Sequence, residues 1–348
     1  MTDARQLEPI EPLGSLVADE QMSASARARL YRSVPANTRR AYARVWDGRP
    51  APDAPAPERA VDRGFTGWCE IHNRTPMPAT AQTLAEYVAY LADADKAPAT
   101  IEQAIAAIRT RHRLAGHGKH YPDAELALAV LRDHRRDRAA AGRSGQRQAL
   151  PVLVESLRKM VDTIDPTTPL GARDHALLLL GVVMFARRSE MAALDWDDLT
   201  DAAEGMLIRI RMSKTDTDAQ GESVPVLYGA FPGTDPIRVL ARWRDTLAAR
   251  GIAGGPVLRS VTKGGTIGGR LSTKSINTIV ARRARLAGLG DGYSAHSLRA
   301  GAATIAHLNG APVATICRLG RWTPGSRAVL GYIRSVDQWK GHPFRGVL

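Results

Sequence analysis

Tyr332 stands sixteen residues from the end of a 348-residue chain, in the stretch LGRWTPGSRAVLGYIRS. It is either an aromatic filler on a helix or a reactive group. Chemistry on a phosphodiester by side chains alone needs cations to hold the non-bridging oxygens, a nucleophile and an acid for the departing oxygen, and candidate parts recur upstream. In SAHSLRAGAAT, His296 and Arg299 lie three residues apart, on one helical face. Arginine matches two phosphate oxygens with a planar fork that lysine lacks, and a neighbouring histidine moves protons near neutral pH. In FARRSEMAAL, Arg187 and Glu190 repeat that spacing at the end of the most apolar run in the chain, so the carboxylate can neutralise and orient the arginine. Trp322 can offer its indole N–H to an oxygen or simply fill a core. Lys214, in the polar turn SKTDTDAQGE, can serve as a general acid if that turn folds over a site. Each part also has an ordinary structural reading as a solvated face, a helix-end ion pair or core. Val329, Tyr332 and Ile333 themselves form an i, i+3, i+4 apolar stripe.

The chain as a whole favours a polyanionic partner. It carries 48 Lys and Arg against 35 Asp and Glu, a formal net charge of +13, while 44% hydrophobic residues suffice for a sizeable core. A membrane role is not expected, because the longest apolar run, ALLLLGVVMFA, is about half of the ~20 residues a span requires. MTDARQLEPIEPLGSL lacks a basic-then-apolar signal pattern, so the expected location is cytoplasmic, with the nucleoid. Two distant cysteines, Cys69 and Cys317, and nine histidines without HExxH or paired CxxC spacing give no metal site. KGGTIGGR and IAGGP match neither phosphate-loop pattern and read as turns. No cofactor is expected.

These residues need elements to place them, and the length suggests two domains. Residues 1–25 read as a flexible arm, and 26–131 as helical. Within the latter, the proline-rich segment at about 47–64 marks an insertion. TLAEYVAYL sets Leu84, Tyr87, Val88 and Leu91 on one face behind a Thr83/Glu86 capping box. TIEQAIAAIRTRHR does the same with Ile101, Ile105 and Ile108 behind Thr100 and Gln103, and ends in a basic ridge of Arg109, His112 and Arg113. Residues 132–148, holding Arg135 and Arg136, read as a basic interdomain linker able to lie along phosphates. Residues 149–335 read as a second domain, mainly α with a small antiparallel sheet. MLIRIRM and SVPVL are its hairpin strands, Pro225 points to an edge, and Lys214 lies near the tip. SINTIVARRARLAGL is a helix closed at Gly288, and two shorter helices follow it.

In order, Arg187, Lys214, His296 with Arg299, Trp322 and Tyr332 resemble the catalytic set of the tyrosine recombinases, the phage integrase family. NTRRAY, FTGWC and ATIEQAIAAIRTRH resemble its helical core-binding domain; ARRSEMAALDWDDL and AHSLRAGAA resemble its arginine boxes, SKTD its hairpin lysine, and GRWTP with LGYIRS its tyrosine box. Trp322 stands where many members carry histidine, a choice shared with the Cre-like branch. The ten positions from Trp322 to Tyr332 are one more than the family spacing.

The resemblance implies a C-shaped two-domain clamp on double-stranded DNA. It implies a homo-tetramer at a recombination site, monomeric or dimeric off DNA, that exchanges strands through a Holliday junction without metal or ATP. Tyr332 would form a 3′-phosphotyrosyl link while Arg187 and Arg299 clamp the phosphate. Lys214 would protonate the 5′ oxygen, His296 would assist the nucleophile, Trp322 would support the phosphate, and Glu190 would position Arg187. Arg109, Arg113, Arg135, Arg136, Lys263 and Lys274 are candidate DNA contacts. Residues 336–348, with Trp339 and Phe344, form a candidate trans-docking tail. Two other outcomes fit the same residues: relaxation of the type IB topoisomerase kind, and a catalytically silent sequence-specific DNA-binding protein.

Overall fold

A computed structural model describes residues 23–48, 63–143, 149–211, 221–337 and 344. The chain divides into two compact units, Met1–Gln146 and Arg147–Leu348. Among the described residues the first is wholly helical: α1 (Ala24–Ser33), α2 (Ala36–Asp47), α3 (Gly64–Ile71), α4 (Ala81–Asp93), α5 (Pro98–Leu114) and α6 (Glu125–Ala140). Its core is aromatic at the centre, where Phe65 makes ring contacts with Trp46, Trp68 and Tyr87, and Leu84, Ile101, Ile108 and Leu131 belong to the same cluster. The stripes expected in α4 and α5 are buried, but their capping boxes are not formed. α4 begins earlier, where Thr80 accepts the N–H of Thr83 at 3.1 Å. α5 begins with Pro98, whose missing N–H costs nothing in a first turn.

Two further expectations fail here. His112 is no part of a basic ridge: it is fully buried, accepting the Ala79 N–H at Nε2 (2.8 Å) and donating from Nδ1 to the Ile108 carbonyl (2.7 Å). Burial, opposed by that carbonyl and aided by His117, keeps its pKa low. The linker, in turn, does not start at 132, because α6 runs on to Ala140. Ala127, Leu131 and His134 carry its buried face through the arginine-rich stretch, and Arg135 and Arg138 pair with Glu102 and Asp95. Arginine is a good helix former, so the charge run continues the helix instead of breaking it.

The second unit contains α7 (Val154–Asp162), α8 (Pro169–Val183), α9 (Arg188–Ala193), a 3₁₀ turn (Trp196–Asp198), β1 (Leu199–Ala202), β2 (Gly205–Ile210), β3 (Glu222–Leu227), α10 (Pro236–Ala248), β4 (Arg259–Val261), β5 (Ile267–Arg270), α11 (Thr273–Leu286), α12 (Ala295–Leu308), α13 (Val313–Gly320) and α14 (Arg327–Asp337). α8 is apolar nearly all round and is the buried axle of the unit. The antiparallel sheet has the order β1-β2-β3, pairing Ile208 with Val224 and placing Pro225 on an edge strand. β1 and the β4–β5 hairpin are additions to the expected elements. KGGTIGGR supplies not only a turn at Gly264–Gly265 but strand β5, where a Cβ on Gly268 would meet the Ser260 hydroxyl at 2.5 Å. Near the start of α8, the fully buried Asp174 accepts from Arg173 (2.7 Å), Arg282 (2.6 Å) and Arg283 (2.8 Å), tying α8 to α11. No helix among the described residues is long and apolar enough to cross a membrane.

Candidate active site

Two helix ends build the floor of the site. α8 closes on Phe185, whose φ of +49° is left-handed, and Ala186 N–H returns to Gly181 O at 3.2 Å. α13 closes the same way on Arg321, at φ +55°, with Trp322 N–H returning to Cys317 O at 2.9 Å. Glycine is the usual occupant of such positions, yet both carry bulky side chains. The carbonyls at these turns receive the two arginines singled out above. Arg299 donates to Phe185 O and, at 2.6 Å, to Gly320 O; Arg187 Nη2 donates to Arg321 O at 2.7 Å. Guanidinium groups thus sit at the partly negative C-terminal ends of two helices.

Glu190 organises one side. Arg187 is the N-cap of α9, its backbone N–H donating to Glu190 Oε2 (2.8 Å) and its Nη1 to Oε1 (2.7 Å). Arg321 Nη2 reaches Oε2 at 2.8 Å. Burial pushes the Glu190 pKa up, but the charge of Arg321, the Arg187 N–H and the bonds from both guanidiniums outweigh it, so the carboxyl stays below its ordinary range.

Arg299 is only 3% exposed. Its guanidinium carbon lies over the Trp322 ring, 3.8 Å from the ring centroid. Behind that ring is Gly320, where a Cβ would fall 1.8 Å from Trp322 Cζ3, so no other residue fits. Burial, together with the neighbouring charge of Arg187, pulls the Arg299 pKa down to about 9, still cationic at neutral pH. α14 presents Tyr332 from between the buried Val329 and Ile333, and the Tyr332 hydroxyl meets His296 Nε2 at 2.5 Å. Burial and then the Arg299 charge lower the His296 pKa, while burial raises that of Tyr332 against the pull of Arg299. The pair is therefore a protonated phenol donating to a neutral imidazole, which requires the Nδ1–H tautomer.

Arg187, Glu190, His296, Arg299, Trp322 and Tyr332 thus converge, although the sequence spreads them over 146 positions. Lys214, in 212–220, and Trp339, in 338–343, lie outside the described residues; Phe344 is exposed. The DNA-contact candidates lie elsewhere. Arg109 and Arg113 line a groove with Lys119 and His120, and Arg135 is paired with Glu102 while Arg136 is exposed. Lys263 and Lys274 flank a groove with Arg282 beside β4. Sequence reasoning missed Arg321, a third guanidinium of the site, buried, three of whose acceptor groups lie 131 to 137 residues away. The one local sign was an arginine directly after LG, at a helix end where glycine is usual.

The Phage integrase family model matches residues 152–338. An integrase/recombinase XerD homolog of Selenomonas ruminantium is 33% identical over 87% of this chain and 83% of its own length. Recombinase Cre of Escherichia phage P1 is 26% identical, with 81% and 84% covered. Among solved structures, the XerH site-specific recombinase bound to palindromic difH shares the fold, with a TM-score of 0.50 at 14% identity over 77% of this chain and 71% of that one. With the family model covering the entire arrangement from Arg187 to Tyr332, and a third of the aligned positions identical to a recombinase along most of both chains, this chain belongs to the phage integrase family and is a tyrosine recombinase.

Proposed function

We propose that the protein cuts and rejoins duplex DNA at a specific site through a 3′-phosphotyrosyl intermediate. The observation that carries this reading is the 2.5 Å contact between the Tyr332 hydroxyl and His296 Nε2, beside Arg299 and Arg187. Tyr332 Oη attacks phosphorus and the bond from phosphorus to the 5′ oxygen breaks. The phenol proton passes to His296 Nε2, and the departing oxygen takes a proton from Lys214, giving a 5′-hydroxyl. Arg187 and Arg299 neutralise the charge that grows on the non-bridging oxygens. Trp322 supports the phosphate from the face of Arg299, and Glu190 positions Arg187. Because the phosphotyrosyl link stores the energy of the broken ester, attack by a 5′-hydroxyl reverses the step without a nucleotide cofactor.

On this reading, four protomers assemble on two DNA sites and exchange strands through a Holliday junction. The first helical unit serves as the core-binding domain, and the tail, residues 336–348, docks on a neighbouring protomer. Lys263, Lys274, Arg109, Arg113 and Arg136 supply phosphate contacts, with Arg135 a lesser one. The test uses a nicked suicide duplex carrying the sequence that the protein selects from a random-sequence pool. A covalent protein–DNA product that Tyr332→Phe abolishes supports the proposal. Tight binding with no covalent product overturns it in favour of a silent DNA-binding protein. Relaxation of a supercoiled plasmid lacking that sequence points to topoisomerase action.

A further inference from the structure

We propose that Arg321 is a positioning residue for the phosphate clamp, fixing Arg187 through Glu190. The inference rests on the reading of Arg187 as a phosphate ligand. Arg321 is held in a left-handed conformation that glycine adopts freely and arginine does not (φ +55°, ψ 47°). At a helix end a long cationic side chain ordinarily reaches solvent. This one folds inward until its side chain is 1% exposed. It donates to Leu319 O (2.9 Å), Met184 O (3.0 Å), Phe185 O (3.4 Å) and Glu190 Oε2 (2.8 Å).

Those acceptors include the groups that hold the two clamp arginines. Glu190 uses its other oxygen for Arg187 Nη1, and Phe185 O also receives Arg299. The main-chain carbonyl of Arg321 accepts Arg187 Nη2 at 2.7 Å. Arg187, Glu190 and Arg321 therefore close a ring in which each member touches the other two. With Arg321 in place, Glu190 cannot swing without losing two guanidiniums, so Arg187 has one orientation before DNA arrives. Being buried behind Glu190, Arg321 acts through Arg187 and not on the phosphate itself. Lysine would keep the charge but lose the fork that spans a carboxylate and the carbonyls of α8. A residue held in an unfavourable backbone state at such a place is what a positioning role requires.

The test measures single-turnover formation of the covalent complex and DNA affinity side by side, on the nicked suicide duplex described above. The full-length wild type is compared with Arg321→Lys and Arg321→Gly, each also in a Glu190→Gln background. Arg321→Lys is expected to slow cleavage about 100-fold while leaving the DNA dissociation constant within about twofold. Arg321→Gly relaxes the backbone and should still lose as much. In the Glu190→Gln background its further loss should shrink to about threefold, because the pin has lost its target. Cleavage by Arg321→Lys near the wild-type rate overturns the role, as does an undiminished Arg321→Gly loss in the Glu190→Gln background. If Arg321→Gly does not fold, the Lys variant alone decides. A wild type that forms no covalent complex overturns the recombinase proposal, and this role falls with it.

Discussion

Two of the carboxylates that the second unit buries, Asp174 and Glu190, lie near opposite ends of α8, and each stands among three arginines. At Asp174 all three guanidiniums, from Arg173, Arg282 and Arg283, donate to the carboxylate. Two of them continue to backbone carbonyls, Arg173 to Arg259 O (2.8 Å) and Arg283 to Thr163 O (3.0 Å). At Glu190 the carboxylate receives Arg187 and Arg321, while Arg299 leans on the carbonyls of Phe185 and Gly320 and on the face of Trp322. The composition is the same and the wiring differs. A carboxylate that takes every guanidinium makes a structural hub; one that leaves a guanidinium to carbonyl dipoles leaves positive charge that, on the proposed function, meets a phosphate. What separates the two is the partner of the third arginine.

Breaking the hub should have the largest effect on stability. Asp174→Asn leaves three arginines around a neutral amide, and removing one partner of a buried ionic cluster costs about 3–5 kcal/mol. Urea denaturation should show a lower midpoint at unchanged slope, with covalent-complex formation by the protein that remains folded near normal. Arg299→Gln should do the reverse. If Arg299 clamps the phosphate as proposed, losing that transition-state donor costs about 10²–10³ in cleavage rate, while the melting temperature falls less than in Asp174→Asn. If the two substitutions gave the same pattern of lost folding and lost cleavage, the division into hub and clamp would fail.

A pH profile sharpens the contrast at intermediate size. On the proposed mechanism, cleavage needs a neutral His296 to take the phenol proton. Burial and the Arg299 charge both disfavour the imidazolium, so its folded pKa lies under the ordinary value of about 6.5. The acid limb of the cleavage rate is therefore expected below pH ~6.5. The stability that His296 contributes is complete above its unfolded value and is lost as pH falls through the folded one. An acid limb at or above pH ~6.5 would sink the assignment of His296 as acceptor. In Arg299→Gln, an NMR titration should move the imidazole pKa upward, since one of its two depressing causes is gone.

Much of this was legible in one dimension because the signals are local. The α4 and α5 stripes, the β2–β3 pair with Pro225 at its edge, and the Val329–Tyr332–Ile333 stripe all follow from spacing. HxxR and RxxE each place both members on one helical turn, and it is their order along the chain with Lys214, Trp322 and Tyr332 that carries the family resemblance. What escaped depends on partners far along the chain. His112 looks like a surface cation until Ala79 is found to cap its ring. The arginines after Leu131 look like a linker until Glu102 and Asp95 supply acids to pair with, from 33 and 43 residues earlier. Arg321 is the clearest case, since nothing near it in sequence says that its guanidinium turns inward to Glu190.

The smallest expected effect extends the contrast to the surface, where Arg135 meets Glu102 with 43% and 54% of their side chains exposed. Lys274 is exposed at the start of α11, and no carboxylate among the described residues lies within ion-pair distance of it. Both were read from the sequence as phosphate contacts of equal standing. A lysine without an acid partner releases a counterion from DNA at no cost in lost ion pairs, so Lys274→Ala should lower the salt slope of binding by about one. Arg135 must first leave Glu102 or bind beside it, so the same phosphate returns less free energy and Arg135→Ala should change the slope by well under about half a unit. Fluorescence anisotropy across about 50–200 mM salt reads both slopes on one duplex. Equal slopes for the two variants would mean that an exposed carboxylate does not occupy its arginine. The rule drawn from Asp174 and Glu190, that an arginine's availability is set by its acid partner, would then hold only where water is excluded.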